Sequence, residues 1–298
     1  MSSAHGFCLA AAWACLVVVL FAGRLVLAEP PLPAYTRTSS GDLFKANTSH
    51  AAQDEAIASI PLDKLDPSAR VKVSNVIRDV SLFRRLPVEV VQCDPELYGF
   101  LLEHPDVVVN VWQSLGISRI TMQETSPGTF AVSDDAGTTG TVQILYRDQH
   151  TQIVFADGAY NGPVFGKPLQ GRVLIVLRSG QIQRSDGRSY ITARIDAFTQ
   201  IDNIGLELIT KTIQPLVGKT ADLNFAQTMT FVGTLSRTAE FNQAGIQRLA
   251  RRLGQVKPEV RDQFAQISER VGQRAAASSS STPLPAVVAK RPGDAQTR

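Results

Sequence analysis

Between Leu169 and Leu253 the apolar period of the chain changes from two to about three and a half, and no other feature constrains the fold as tightly. Gln170 to Arg184 and Arg188 to Ile201 alternate like strands and flank Asp186-Gly187. That pair accepts the positive φ angles of a type I′ turn, so one long hairpin is expected. Val173 to Leu177 is apolar at every position, as in a central strand covered on both faces. After Ile201 a helical face begins at Ile204, Leu208 and Ile209, and Pro215 to Gly218 is expected to bend or break it. It resumes at Leu223, Ala226, Met229, Val232 and Leu235, and Ile246, Leu249, Ala250 and Leu253 carry it further. A helix in this position can lie across a curved sheet and close it.

The elements upstream supply the rest of that sheet. Asp66-Pro67 can start a helix, with Val73, Val76, Ile77 and Val80 on one face, which makes 61–85 an N-terminal helical segment. Leu86 to Gln92 reads as a short strand. Asp94-Pro95 caps a helix through Leu97, Phe100, Leu101 and His104, and a second runs from Pro105 past Trp112 to a C-cap at Gly116. Ile117 to Glu124, Thr129 to Ser133, Thr141 to Arg147 and Thr151 to Asp157 then form an antiparallel meander. Gly158 to Gly166, rich in glycine and aromatic residues, is expected to be a loop or an irregular edge. Pro258 precedes a C-terminal helix over 258–274.

The two ends read differently. Phe7 to Gly23 is apolar and uncharged, and Val26 and Ala28 occupy the small-residue positions of a signal-peptidase site. The absence of Lys and Arg before the run, and its length, argue equally for a retained anchor. Residues 1–28 are therefore a signal peptide or a membrane anchor, with membrane contact through 7–27 if it is retained. Either way the body is expected outside the cytoplasm. Residues 29–60 read as a disordered linker and 275–298 as a disordered tail. Asn47-Thr48-Ser49 matches a glycosylation sequon, a triplet short enough to arise by chance. Cys8 and Cys15 fall in the leader, so the body carries only Cys93, a quiet structural thiol on this reading.

The order of strand, two helices, meander and long C-terminal helix resembles the START-like (polyketide cyclase and Bet v 1-like, SRPBCC) helix-grip superfamily over about Leu86 to Leu253. Val88-Glu89-Val90-Val91 running into Asp94-Pro95-Glu96, then His104-Pro105-Asp106 and Trp112, carry the resemblance. It implies an α+β fold over 86–257, in which an antiparallel curved sheet grips a long C-terminal helix. It also implies a cavity for a hydrophobic or amphipathic small molecule between them. Tyr146, Phe155, Tyr190, Arg194, Asp196, Phe198 and Met229 are the residues expected to line it. Arg194 and Asp196 would be a polar patch if that strand face looks inward, and a solvated ion pair if it looks outward.

A hydrophobic fraction of 44% with 19% charged residues suits a globular body, and a net charge of +3 gives no case for nucleic acid. Arg248, Arg251, Arg252 and Lys257 read as a solvated helix face. Asp134-Asp135 reads as turn-forming, and His50, His104 and His150 are dispersed, so no metal site, cofactor or catalytic motif is expected. Two functions follow: a non-catalytic binding domain for a hydrophobic or amphipathic small molecule or lipid, or a structural or interaction protein of the cell envelope, with a solid core and its C-terminal helices and tail used for partners. Sequencing the N-terminus of the exported protein separates the leader readings, since cleavage gives a chain beginning at Glu29 and retention leaves Met1 or Ser2.

Overall fold

The computed structural model describes residues 43–161, 168–184, 187–202 and 214–280. The leader, the first part of the linker, the helical face at Ile204 to Ile209, Asp186 and the tail beyond 280 lie outside them. The described chain is α+β. In order it runs α1 (His50–Ala58), α2 (Pro67–Arg78), β1 (Leu82–Arg85), β2 (Glu89–Gln92), α3 (Pro95–Glu103) and α4 (Pro105–Ser114). Strands β3 (Thr121–Ser126), β4 (Thr129–Ser133), β5 (Thr138–Arg147), β6 (Thr151–Tyr160), β7 (Leu169–Gln183) and β8 (Ser189–Ile201) follow. Helices α5 (Gln214–Phe241), α6 (Gln243–Arg252) and α7 (Pro258–Ser280) complete it.

Every strand pairing is antiparallel, and the order is β1-β8-β7-β6-β5-β4-β3, with β2 joining β8 on the same edge as β1. The long hairpin is present, but its turn differs from the expected one. The N–H of Arg184 donates to Arg188 O at 3.0 Å and that of Gly187 to Arg184 O at 2.9 Å. Gly187 takes a positive φ, +77°. This closes a loop one residue longer than type I′ would, with glycine at its left-handed position. The register moves with it: Arg178 faces Arg194, where a two-residue loop would have set it against Ile195.

Because strand side chains alternate, β7 and β8 feed two cores. Val173, Ile175, Ala193, Ile195 and Ala197 face inward with α3 to α7, while Leu174, Val176 and Phe198 face outward with Ile153, Phe155 and helices α1 and α2. The sheet is thus covered on both faces, as its apolar run demands. On the inner face Gly140, Gly158 and Gly171 stand side by side on β5, β6 and β7, leaving a row without side chains where the sheet can curve. Gly158 therefore belongs to a strand, and β6 continues through Tyr160 where a loop or an irregular edge was expected, while 162–166 of that stretch lie outside the described residues.

Three segment boundaries also differ from the sequence reading. Within the expected linker, Ser49 caps α1 by accepting the N–H of Ala52, and Ala52 and Ala56 are buried. Asn47 and Ser49 of the sequon thus serve the helix start, with the Asn47 side chain accepting the Ser49 N–H at 2.8 Å. The second helix ends at Arg78, and Leu82–Arg85 is a strand because β8 offers it an edge. Pro215 sits in the first turn of α5, where a missing N–H costs nothing, and the helical face expected ahead of it lies outside the described residues. At the other end α7 runs on to Ser280, held by Arg274 to Asp94 at 2.9 Å.

Two ion-pair systems fasten the helical layers to β1. On the inner side Arg84 forks onto Asp222 of α5, its Nε at 2.8 Å, and the guanidinium lies against Gly218. On the outer side Arg85 holds the fully buried Asp196 at 2.6 Å and Glu55 of α1 at 2.9 Å. Asp196 is therefore no solvated ion-pair member: α1 and α2 roof it, and its principal partner is Arg85, with Arg194 farther off at 3.8 Å. Removing one member of a buried pair leaves the other charge desolvated and alone. Asp196→Ala is expected to lower unfolding stability by about 3 kcal/mol in urea titrations, and Glu55→Ala, at the exposed end, by less than about 1 kcal/mol. Equal losses would refute this division of roles.

Candidate functional site

A cleft of about 440 Å³ opens at one end of the sheet, between α3, the β5–β6 turn, the overhanging end of β7 and α7. It exists because β7 and β8 outrun β6. Arg178 pairs with Thr151, the first residue of β6, and Ser179 donates to His150 O at 2.8 Å, beyond which β7 has no β6 neighbour. Tyr98, Leu102, Ile191 and Ile267 form the apolar part of the lining, and Glu96, Glu103, Arg147, His150, Gln152 and Arg270 the polar part.

Helix α3 shapes the cleft through its caps and one glycine. Asp94 accepts the N–H groups of Glu96 and Leu97, at 3.0 and 3.2 Å, and also receives Arg274 from α7. Glu96 binds Arg270, whose guanidinium holds that carboxyl below its ordinary range. The two pairs lock α7 to the start of α3. Gly99 sits mid-helix, where a side-chain-bearing residue is favoured by roughly 0.5–1 kcal/mol. A Cβ there would meet no atom within 4 Å, so its absence leaves the cleft open.

Several polar groups of the cleft are tied into hydrogen bonds and ion pairs. Tyr98 OH shares a hydrogen bond with Ser179 Oγ at 2.7 Å, and burial pushes the phenol up to about 12. Arg147 reaches Glu103 at 2.7 Å. Gln152 is buried and donates to Leu102 O at 3.0 Å, while its Oε1 has no hydrogen-bond partner among the described residues. Of the strongly shifted acids, neither Glu89, raised to about 7 by burial and then by the Asp222 charge, nor Asp106 lines this cleft. Cys93 is buried and pushed up to about 12 by desolvation, an unreactive thiol. Among the described residues no three of His, Cys, Asp and Glu gather at metal-binding distance, and no helix is long and apolar enough to cross a membrane.

The seven residues expected to share a pocket do not meet in one. Phe155 and Phe198 lie in the outer core with Tyr146 packed against it, and Asp196 is buried on that same outer face. Tyr190 lies near the hairpin end under the Arg184 guanidinium, 4.5 Å from its ring centroid. Met229 is across the sheet in the inner core, so the sheet itself divides the set. Met122, Phe130 and Phe231 fill that inner core too, with Phe231 edge-on to Trp112 at 5.6 Å. Asp134 is turn-forming as expected, its Oδ1 accepting from Ala136 and Thr138.

Sequence reasoning passed over Tyr98, Gly99, Gln152 and Arg178. The glycine inside the Pro95–Glu103 helix was the one visible signal among them. The others acquire meaning from register and helix docking.

Asp106 lies away from the cleft in the first turn of α4, 2% exposed, and its Oδ1 has no hydrogen-bond partner among the described residues. Burial, then the charge of Glu124, raises it from 3.8 to about 6. An acid raised on folding contributes fully below its unfolded pKa, and that contribution is lost as pH rises through the folded one. Asp106→Asn is therefore expected to stabilise the protein by about 3 kcal/mol at pH 8 and hardly at all at pH 3.5. Denaturant midpoints at the two pH values check this, and an equal effect at both would refute it.

No family model matches the chain, and no curated protein matches it. Among solved structures it is similar to a conserved protein from Geobacillus kaustophilus, at 8% identity and a TM-score of 0.30, over 48% of this chain and 93% of that one. It is also similar to apo dicamba monooxygenase, at 12% identity and a TM-score of 0.30, over 71% of this chain and 63% of the monooxygenase.

Proposed function

We propose that this chain is a non-catalytic binding domain of the START-like, helix-grip kind, acting outside the cytoplasm and holding an amphipathic small molecule. Its ligand site is the cleft between α3, the β5–β6 turn and α7. One observation carries the reading: a helix-interior glycine, Gly99, leaves open a cleft whose volume suits a small ligand and whose lining joins apolar side chains to a few fixed polar groups. Ion pairs already hold that frame together before any ligand arrives, which lowers the ordering cost of binding.

The direct test is native mass spectrometry of the purified protein for a co-purified amphiphile, followed by titration with a fluorescent alkyl probe. Gly99→Phe is expected to retain or slightly raise stability, because it removes glycine from a helix interior, and to weaken probe binding at least ten-fold. A protein that carries no ligand and binds the probe without saturation would sink the proposal. Gly99→Phe binding the probe as well as the parent would remove the cleft as its site.

A further inference from the structure

We infer that the outer end of the β7–β8 hairpin holds a site for an oxyanion of the phosphate class, one that would receive the polar end of the ligand. Arg178 and Arg194 are direct cross-strand partners on the outer face. Like charges in that position repel unless counter-charge is at hand. Among the described residues, the carboxylates that pair with this group are committed elsewhere: Asp196 binds Arg85 at 2.6 Å and stands 3.8 Å from Arg194, and Glu55 binds Arg85 at 2.9 Å, while Asp148 accepts the N–H groups of His150 and Thr151. Three guanidiniums therefore share two carboxylates. Arg178 is held by neutral acceptors, the carbonyl and hydroxyl of Ser59, at 3.0 and 2.5 Å. One negative charge beside the pair would balance the group.

The space for it is present. A depression of about 240 Å³ lies against Arg178 and Arg194, flanked by His150, Thr151 and Thr192. Its floor is Gly180, where a Cβ would stand 2.9 Å from Thr192 Oγ1. Two guanidinium forks match the several acceptor oxygens of a tetrahedral oxyanion, while the Thr192 hydroxyl donates to Gly180 O at 3.3 Å. His150, Thr151, Ser179 and Gly180 line both this depression and the larger cleft, so the two meet where β6 begins. An oxyanion bound here has a path for an attached chain around the open edge of β7 into the apolar cleft.

The inference rests on the amphiphile reading only for that attached chain, and calorimetry on the full chain separates the two. Inorganic phosphate is titrated against chloride at matched ionic strength, then octyl phosphate. Saturable phosphate binding is expected, weakened at least ten-fold by Arg178→Gln or Arg194→Gln. Octyl phosphate should bind at least ten-fold more tightly than phosphate, and Gly99→Phe should erase that gain. A phosphate titration indistinguishable from chloride overturns the oxyanion site, and this arm needs no variant. Phosphate binding that survives both Arg substitutions overturns it as well. Equal affinity for phosphate and octyl phosphate would support the oxyanion site while defeating the amphiphile reading.

Discussion

The register of β7 on β8 is the constraint on which the rest of the structure depends. It is set at the turn, where Gly187 takes a positive φ and the loop is one residue longer than an Asp-Gly type I′ turn. A slip of one residue would exchange the faces of one strand relative to the other. With the observed register, Val173, Ile175, Ile195 and Ala197 point to one core and Leu174, Val176 and Phe198 to the other. The same register brings Arg178 opposite Arg194 and Asp196 opposite both Val176 and Arg85.

A strand pair apolar on both faces has to be covered twice, and each layer of helices is attached to the same short strand. Arg84 and Arg85 are neighbours on β1, and alternation sends their side chains to opposite faces. Arg84 meets Asp222 of α5 on the inner side, and Arg85 meets Asp196 and Glu55 on the outer side. Close approach completes the inner docking: Gly233 of α5 leaves room for Gln92 O, 3.1 Å from where its Cβ would be. The threonine hydroxyls of α5, such as Thr234 onto Thr230 O, turn back onto its own carbonyls.

The cleft is a consequence of unequal strand lengths. β7 and β8 extend past the start of β6, and α3 and α7 cover the overhang without filling it. The Asp94–Arg274 and Glu96–Arg270 pairs hold those two helices in place, which explains why α7 stays ordered beyond the point where composition turns Ala- and Ser-rich. A helix in that stretch is supported by what it docks on more than by its own propensity.

Much of the architecture was legible in the residues themselves. The change of period after Ile201, the caps at Asp66 and Asp94, the meander and the doubly covered strand at Val173 to Leu177 all express local rules of periodicity, capping and turn chemistry. Leu82–Arg85 as a strand and Gly158 as a strand residue were not legible, because each depends on a strand partner distant in sequence. The candidate site was less legible still. Tyr146, Phe155, Phe198 and Met229 have the composition of a pocket, yet face assignment puts them in two cores, and face assignment hangs on a single residue of loop length. The sequence by itself determined most of the elements from β2 onward and their order, since these follow from interactions within a few residues. Only the tertiary structure decided which side chains share a space, because register and helix docking bring together groups, such as Gly99 with His150 or Arg178 with Arg194, that no local rule connects.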